Sequence, residues 1–334
     1  MKRFYKKGIS LFLILLMSFP LCACKSDDSK ALTTVKLNEV AHSIFYAPMY
    51  VAIEKGYFED EGIELSLTTG FGADKTMAAV VSGDADVGFM GTEASIYAYT
   101  EGAKDHVINF AQLTQRAGNF VVARENTESF SYEDMIGKDV LGGRAGGTPE
   151  MVYEYVLREN GVSPSEVKID QSIDFGSTAA AFSGGQGDYT IEFEPSATAL
   201  EQSGDGYVVA SIGVDYGYLP YTAFCAKESY LNENADLIQH FTNALQKGMD
   251  YVAGHSPEEI ASVIAPQFSE TDLKTLTLIV SRYYDQETWN TDLILREEGY
   301  DLMLTILEES GVLSGAAPYE DLVNTDFAEK ASTL

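Results

Sequence analysis

The feature that most constrains the fold is a regular alternation of strand-like and helix-like segments that begins at Val35. Apolar residues recur at every second position in the strand-like segments, and Gly or Pro residues separate many of the segments. Such alternation is typical of α/β domains, in which helices pack against a sheet. For the first part of the chain it predicts, in order, strand 35–41, helix 47–55, strand 62–69, helix 76–81, strand 85–90, a helix within 91–102 and strand 107–114.

A weak internal repeat indicates a second α/β unit. Residues 78–99 and residues 179–200 both run from a helix of small residues through a Ser-Gly turn and an Asp to a short strand, a loop and a new helix. We therefore predict two similar α/β halves. The further predicted elements are the start of the second unit at 137–143, helix 151–160, strand 167–173, a mostly helical region after 234 and a capping box at 256–259.

The first residues of the chain are typical of an export signal. Basic residues precede an apolar stretch, Gly8 to Leu21, that is too short to span a bilayer as a helix. Residues 21–24, Leu-Cys-Ala-Cys, match the bacterial lipobox, so we predict lipid attachment at Cys24, with a plain secretory signal as the alternative. The predicted limits are a signal peptide at 1–23 and a tether at 24–34.

The acidity of the chain limits its partners. With 22 Lys and Arg against 51 Asp and Glu, the formal net charge is −29. Nucleic acid and anionic lipid surfaces are therefore poor partners, and we interpret the acidity as a solubility feature. Apart from two Cys in the signal region the chain contains only Cys225, which excludes an intrachain disulfide after processing. Cys225 lies in the apolar run YTAFCA, which predicts a core position.

Residues for catalysis or metal binding do not form recognisable motifs. None of the four His residues is spaced from another His or a Cys as metal ligands are. The G-x-S-x-G motif is missing, and the glycine-rich segment 142–148 (GGRAGGT) lacks the Lys of a phosphate-binding loop. We therefore expect no enzyme activity, no metal and no cofactor. We interpret 142–148 as a loop that presents N–H groups to a small ligand.

Binding chemistry is predicted where helices follow strand ends. In an α/β sheet such turns gather at one edge, and ligands bind there. Both halves contribute turns, so a ligand held between the halves would favour a closed clamshell arrangement. The turns are residues 42–48, 71–75, 91–93, 146–148 and 192–196.

Three motifs within residues 51–90 carry a family resemblance. They are KGYF at a helix end, EGIEL in a strand, and SGDADVG before and within the next strand. In this order they resemble the solute-binding proteins of ABC importers for nitrate, taurine, aliphatic sulfonates and the pyrimidine precursors of thiamine. The segment FEPSA (193–197) resembles a second-domain loop of the thiamine-precursor branch. The general resemblance covers roughly residues 35–330.

The resemblance implies an α/β type II periplasmic-binding-protein fold, with two lobes, a ligand cleft and two crossing segments. It implies one lobe from residues 35–118 and 225–330 and a second lobe from residues 119–224. It further implies an extracytoplasmic monomer that works with ABC permease and ATPase subunits and is held at the membrane by its lipid anchor only. A related enzyme branch, the fungal thiamine-pyrimidine synthases, carries a Cys-rich motif that this chain lacks.

Two ligand chemistries fit the predicted turns. A sulfonate or nitrate would use helix N-termini and a cation such as Lys75, Arg116 or Arg144. A pyrimidine would use aromatic faces and hydrogen-bond acceptors. Because the turns carry more acid than base, we expect a nitrogenous nutrient, first of all a thiamine pyrimidine precursor. The predicted ligand-binding residues are His42, Phe45, Tyr46, Phe71, Gly72, Lys75, Thr92, Glu93, Arg116, Gly146, Gly147, Thr148, Glu192 and Glu194.

Alternatives stay open at two levels. At the level of function they are an anion binder of the same fold, an exported enzyme of pyrimidine metabolism, and a lipid-anchored adhesion or scaffold module. At the level of residues, the pair Phe45 and Tyr46 could simply fix a helix to the sheet, and Glu194 could only cap a helix. Lys75 could be solvated, and His42 could serve a structural hydrogen bond.

Overall fold

The structure is a computed structural model that describes residues 31–127, 129–173, 175–313 and 315–334. The predicted signal peptide, the predicted lipid-attachment site Cys24 and most of the predicted tether lie outside these residues. Within the described ranges, no helix combines the length and the apolar character that crossing a membrane requires.

The first of two sheets has five strands, which are β1 (Thr33–Glu39), β2 (Ile63–Thr69), β3 (Val87–Met90), β4 (Val107–Thr114) and β10 (Thr222–Lys227). Their order is β2-β1-β3-β10-β4. β1 is parallel to β2 and β3, whereas β10 is antiparallel to β3 and β4. Cys225 in β10 is buried, as predicted for a core residue, and burial raises the pKa of its thiol to about 12.

The helices that follow these strands are α1 (Ala47–Glu54), α2 (Tyr57–Asp60), α3 (Ala73–Ser82) and α4 (Glu93–Thr100). Pro48 lies in the first turn of α1, where a missing N–H costs no intrahelical bond. Gly56 follows α1 with a φ of 72°, which favours Gly at a helix end. α3 begins three residues before its predicted start, because Ala73 and Asp74 suit the first turn of a helix.

The second sheet also has five strands, which are β5 (Asn119–Ala123), β6 (Asp139–Leu141), β7 (Lys168–Asp170), β8 (Tyr189–Phe193) and β9 (Tyr207–Ser211). Their order is β7-β6-β8-β5-β9. β6 is parallel to β7 and β8, and β5 is antiparallel to β8 and β9. The alternation did not predict β5, because all five of its residues are buried and no polar residue alternates with the apolar ones.

The helices of the second unit are α5 (Thr148–Glu159), α6 (Phe175–Ser183) and α7 (Ser196–Ser203). Thr148 is the first residue of α5, three residues before the predicted start of this helix, and Gly147 precedes it as the N-cap. The internal repeat is confirmed, since 78–99 and 179–200 each contain the end of a helix, a strand and a new helix. These are α3, β3 and α4 in the first copy and α6, β8 and α7 in the second.

Helices dominate the C-terminal part: α8 (Glu228–Glu233), α9 (Ala235–Gly254), α10 (Pro257–Ile264), α11 (Leu273–Asp285), α12 (Glu297–Glu309), α13 (Tyr319–Leu322) and α14 (Asp326–Ala331). α9 packs closely on α1, because a Cβ atom at Gly248 would collide with the carbonyl oxygen of Pro48. The capping box between Ser256 and Glu259 at the start of α10 is confirmed.

Three chain segments lie side by side where the two sheets connect. The backbone N–H groups of Leu219 and Tyr221 donate to carbonyl groups of Gln115 and Thr114, and the Gln115 N–H donates to Thr288 O at 2.9 Å. The family resemblance implies two crossing segments, and the residues near Thr288 lie beside one of the segments that connect the sheets. The lobe limits of 35–118 with 225–330 and of 119–224 stay a prediction.

Candidate functional site

The turn before α1 lies where turns from the two sheets meet. The ring of Phe45 in this turn is 1% exposed. Its centroid lies 5.7 Å from the ring of Tyr221, 5.1 Å from that of Tyr283 and 6.3 Å from that of Phe193. Phe193 ends β8 in the second sheet, so the turn before α1 and the turn after β8 are in contact. Tyr46, the next residue, packs its ring edge-on against Phe89 of β3 with the centroids 4.5 Å apart.

A buried carboxyl group lies beside these rings. Glu93 is the first residue of α4 and is 5% exposed. Burial raises its pKa, and the Thr148 side chain and the N–H of Glu93 itself act in the opposite direction. The charge of Glu93 adds to the effect of burial in raising the pKa values of Tyr46 and Tyr221. Because Thr148 is the first residue of α5, the N-terminal turns of two helices from different sheets meet at the Glu93 carboxyl group.

Four buried polar atoms in this region have no hydrogen-bond partner among the described residues. They are Glu93 Oε2, Asn119 Oδ1, Thr148 Oγ1 and Tyr221 Oη. The Thr148 side chain is nevertheless near enough to the Glu93 carboxyl group to act against the rise in its pKa. The other amide atom of Asn119, Nδ2, donates to Pro149 O at 3.4 Å, which locates this side chain at the first turn of α5.

The chemistry of these atoms defines what they can bind. A carboxylate oxygen and an amide oxygen only accept hydrogen bonds, while the two hydroxyl groups accept or donate. A buried polar group without a partner costs about 1–3 kcal/mol, so a ligand that supplies the missing partners would stabilise this region. We call Phe45, Tyr46, Glu93, Asn119, Thr148 and Tyr221 the interlobe cluster.

The cations near the connection of the sheets are already paired. Arg116 donates to Gly213 O at 2.9 Å, pairs with Glu287 at 3.3 Å and stacks on the ring of Tyr218. Among the described residues, no Lys, Arg or His forms an ion pair with Glu93. The interlobe cluster is therefore rich in acceptors and contains no positive charge.

Two other predicted carboxylates have partners within the protein. Glu194 pairs with Arg282 at 2.6 Å and accepts two hydrogen bonds from Thr198, one from the backbone N–H and one from the hydroxyl group. This arrangement matches the capping alternative, because Thr198 lies in the first turn of α7. Glu192 accepts a hydrogen bond from Thr190 at 2.6 Å, and burial raises its pKa to about 7.

His42 is part of a separate hydrogen-bonded group. Its Nδ1 lies 3.0 Å from Glu39 Oε1 and its Nε2 lies 2.9 Å from Gln267 O. Tyr50 donates to the same carboxyl group at 2.5 Å. The Glu39 hydrogen bond is the largest cause of the raised pKa of His42. Both ring nitrogens therefore have protein partners, as in the structural alternative for His42.

The other predicted residues lie outside the interlobe cluster. Phe71 is 76% exposed and has a φ of 56°, and Gly72 and Lys75 lie beside it at the start of α3. Thr92 is buried and donates to Pro220 O. In the loop before α5, the Gly146 N–H donates to Glu150 at 3.2 Å, and Gly147 is the N-cap of α5.

A groove of about 620 Å³ lies next to the crossing segments rather than at the interlobe cluster. The amides of Gln112 and Gln115, which line it, donate to carbonyl groups of Thr114 and Glu287. The indole N–H of Trp289 donates to Phe45 O at 2.9 Å. These two amides and the indole N–H thus bind the protein itself, so we regard the interlobe cluster as the stronger candidate site. Within the described residues, no group of three or more His, Cys, Asp or Glu side chains is arranged to hold a metal ion.

Three residues at this site were absent from the sequence prediction. Asn119 and Tyr221 stand where the chain crosses between the sheets, and Tyr283 arrives from α11. Asn119 and Tyr283 carried no local signal, because only tertiary packing brings them to Phe45 and Thr148.

The two α/β sheets, with a partly unsatisfied polar cluster enclosed between their turns, have the architecture of the periplasmic-binding-protein fold. The chain belongs to the family described as NMT1/THI5 like, whose model matches residues 44–260. The family resemblance and the fold class predicted from the sequence are therefore confirmed.

Comparison with individual proteins agrees with this assignment. The chain is 43% identical over 334 residues to YtlA of Bacillus subtilis strain 168, which is named as a candidate binding protein, and the match covers 100% of this chain and 99% of YtlA. It is 26% identical over 241 residues to the riboflavin-binding protein RibY of Chloroflexus aurantiacus, covering 71% of this chain and 66% of RibY. Both relatives are named for binding rather than for catalysis.

Among solved structures, the alkanesulfonate-binding protein SsuA from Xanthomonas axonopodis pv. citri, bound to MOPS, has the same fold. Its TM-score is 0.70 at 15% identity, and the match covers 87% of this chain and 98% of that one. At this identity the likeness supports the architecture of two α/β lobes.

Proposed function

We propose that the protein is the solute-binding subunit of an ABC importer and captures a small nitrogenous nutrient, first of all a pyrimidine precursor of thiamine, between its two lobes. The observation that carries this proposal is the set of four unpartnered buried atoms in the interlobe cluster. Family membership supports the transport role, since it associates this chain with binding proteins.

The chemistry of the interlobe cluster supports the ligand class. An aminopyrimidine presents amino hydrogens, which suit the free oxygens of Glu93 and Asn119, and ring nitrogens, which can accept from the hydroxyl group of Tyr221. Its flat ring suits the aromatic side chains of Phe45 and Tyr46. The riboflavin-binding relative also recognises a nitrogen heterocycle, as its name states.

An anion binder of the same fold is the second candidate. The alkanesulfonate-binding protein supports the anion binder, because it has the same fold and binds a sulfonate. The absence of an ion-paired cation from the interlobe cluster and the presence of Glu93 oppose it, because a buried carboxylate repels an anion by several kcal/mol at low local dielectric. The exported enzyme has less support, because both named relatives are described as binding proteins.

The remaining parts of the proposal concern location and partners. We propose that the protein is extracytoplasmic, that lipid at Cys24 holds it to the cell membrane, and that it acts as a monomer. Its partners in this proposal are the ABC permease and ATPase subunits of an importer. The lipobox at residues 21–24 supports the anchor.

Calorimetric titration of the purified protein tests the ligand class. We expect binding of an aminopyrimidine precursor of thiamine in preference to taurine. Asn119→Ala and Tyr221→Phe should each weaken aminopyrimidine binding by about 1–2 kcal/mol, roughly 5-fold to 30-fold, because each removes a hydrogen bond to the ligand.

Tyr218→Phe is the matched control, since Tyr218 is half exposed and its hydroxyl group donates to Glu287 outside the cluster. It should leave the affinity unchanged. Tighter binding of taurine than of the aminopyrimidine, or unchanged affinity in both cluster variants, would refute the proposed ligand class. Mass spectrometry of small molecules that copurify with the protein would identify the ligand directly.

A further inference from the structure

Two helix N-termini from different lobes converge on the interlobe cluster, and neither is capped by a side chain of its N-cap residue. α4 begins at Glu93 after Thr92, and α5 begins at Thr148 after Gly147. The hydroxyl group of Thr92 is engaged with Pro220 O instead. A helix N-terminus attracts anions, because it carries a partial positive charge.

The carboxyl group of Glu93 already lies at this place. It folds back over the turn that starts α4, since a Cβ atom on Gly91 would collide with both of its oxygens. Burial raises the pKa of this carboxyl group, while the side chain of Thr148 and the backbone N–H of Glu93 itself act in the opposite direction and favour the charged form. The group is almost fully buried, and Oε2 and Thr148 Oγ1 have no hydrogen-bond partner in the described part of the chain.

We infer that Glu93 is the specificity-determining residue of the site: its carboxylate is a built-in anion between the two helix N-termini, which excludes sulfonates and other anionic ligands and selects ligands that donate hydrogen bonds. The inference rests on the function proposed above and deepens it, because it assigns the choice between the two ligand classes to one side chain.

Charge and space both support this assignment. An incoming sulfonate would have to displace or approach the Glu93 carboxylate, and no described cation pairs with that carboxylate to offset the repulsion. A donor-rich ligand meets the opposite situation, since Glu93 Oε2, Asn119 Oδ1 and Tyr221 Oη have no hydrogen-bond partner among the described residues. The backbone N–H of Glu93, which now favours the carboxylate of the same residue, would become available to an anion only after the carboxylate is removed.

The inference predicts a gain of function. In the full chain, Glu93→Ser should remove the built-in anion and open space for an oxyanion, and Glu93→Gln should remove the charge with little change in size. Titration with methanesulfonate should show at least about tenfold tighter binding by both variants than by the wild type. The wild type itself should not bind methanesulfonate at concentrations up to about 10 mM, on the scale of weak affinities.

Glu101→Gln serves as the matched control, because Glu101 is exposed at the other end of α4. It should not gain methanesulfonate affinity, and thermal unfolding should show that all three variants remain folded. A folded Glu93 variant that gains no affinity, or a wild type that binds methanesulfonate as well as the variants do, overturns the inference. Even if a variant does not fold, the wild-type titration tests the inference, because binding of methanesulfonate by the wild type below about 10 mM would contradict it.

A different result concerns the proposed function. If the wild type binds neither an aminopyrimidine nor another donor-rich heterocycle, the proposed ligand class is wrong. The methanesulfonate titrations of the Glu93 variants do not depend on that result, because they measure only whether removing the carboxylate opens an anion site.

Discussion

Two buried glutamates of this protein, Glu194 and Glu93, differ in whether both of their carboxyl oxygens have hydrogen-bond partners. Glu194 is surrounded by Arg282 and Thr198, which use both of its oxygens. Glu93 has no ion pair among the described residues and keeps Oε2 without a partner. A buried carboxylate without hydrogen-bond partners lowers the stability of the folded protein. A ligand that donates a hydrogen bond to Glu93 Oε2 would remove this cost. This contrast is why we assign ligand recognition to Glu93 and a structural role to Glu194.

A third buried glutamate makes stability depend on pH. Burial raises the pKa of Glu192 from 4.5 to about 7, so this residue contributes stability below about pH 4.5 that is lost as the pH rises through 7. Glu192→Gln is neutral at every pH and should raise the free energy of unfolding by up to roughly 3 kcal/mol at about pH 8, with little effect near pH 4.5. Urea unfolding at the two pH values measures the difference.

The matched control for this experiment is Glu125→Gln, which changes an exposed carboxylate next to β5. It should alter the free energy of unfolding by less than about 0.5 kcal/mol at either pH. A Glu192→Gln variant that is less stable than the wild type at about pH 8 would contradict the prediction, because it would mean that the charged form is favoured in the folded protein.

The residue composition of the interlobe cluster could be predicted in part. Phe45, Tyr46, Glu93 and Thr148 stood out in the sequence, because each lies in a turn between a strand and a helix. The structure brings these four side chains together. Asn119 lies at the start of a fully buried strand that has no alternating pattern, so nothing in the local sequence indicated its role.

At the scale of elements, α11 contacts parts of the protein that are distant from it in the sequence. It packs against α10, and its residues reach the second sheet. Arg282 binds Glu194 and Glu201, Tyr283 donates to Gly118 O at 3.1 Å, and Gln286 donates to Ala117 O at 3.0 Å. Arg282 and Glu194 are 88 residues apart in the chain. Periodicity predicts helices and strands, but it carries no information on such distant partners.

Arg282 should therefore be important for stability. Arg282→Met keeps the length of the aliphatic part of the side chain and leaves the buried carboxylate of Glu194 without its cation, which should lower the free energy of unfolding by about 3 kcal/mol. Urea unfolding measures this change. Adding Glu194→Gln to Arg282→Met should recover part of the loss, since the unpaired charge is then gone.

The matched control is Arg296→Met. Arg296 is half exposed and pairs with Asp292 on the same short segment, so its loss should cost less than about 1 kcal/mol. Equal effects of the two arginine variants, or no recovery in the double variant, would contradict the role of α11 as an element that ties the lobes through a buried ion pair.

At the scale of the whole molecule, the two sheets stand in a closed arrangement. Phe45 contacts Phe193, the hydroxyl group of Tyr97 on α4 lies 3.8 Å from Met151 Sδ on α5, and Arg158 on α5 pairs with Glu309 on α12. Closure encloses the unpartnered atoms of the interlobe cluster, each at a cost of about 1–3 kcal/mol. We therefore expect the protein without ligand to favour an open arrangement and the ligand to shift it toward closure.

Gly118→Ala tests this coupling between closure and binding. A Cβ atom at Gly118 would lie 2.7 Å from the nearest ring atom of Phe45, and that ring is held by Tyr221 and Tyr283. The added methyl group should disfavour the closed arrangement by about 1–3 kcal/mol, because a packed ring cannot move away without strain. We expect an aminopyrimidine to bind at least about fivefold more weakly. The decrease in the radius of gyration on ligand addition, measured by small-angle X-ray scattering, should become smaller.

Gly254→Ala is the control for Gly118→Ala, since a Cβ atom at Gly254, at the end of α9, would meet no other atom within 4 Å. It should close around the ligand as the wild type does. If Gly118→Ala binds and compacts like the wild type, Phe45 does not need its present position for closure. The turn before α1 would then only fix a helix to the sheet and would not line a ligand site. If Phe45 lined the site, displacing its ring should change both ligand binding and closure.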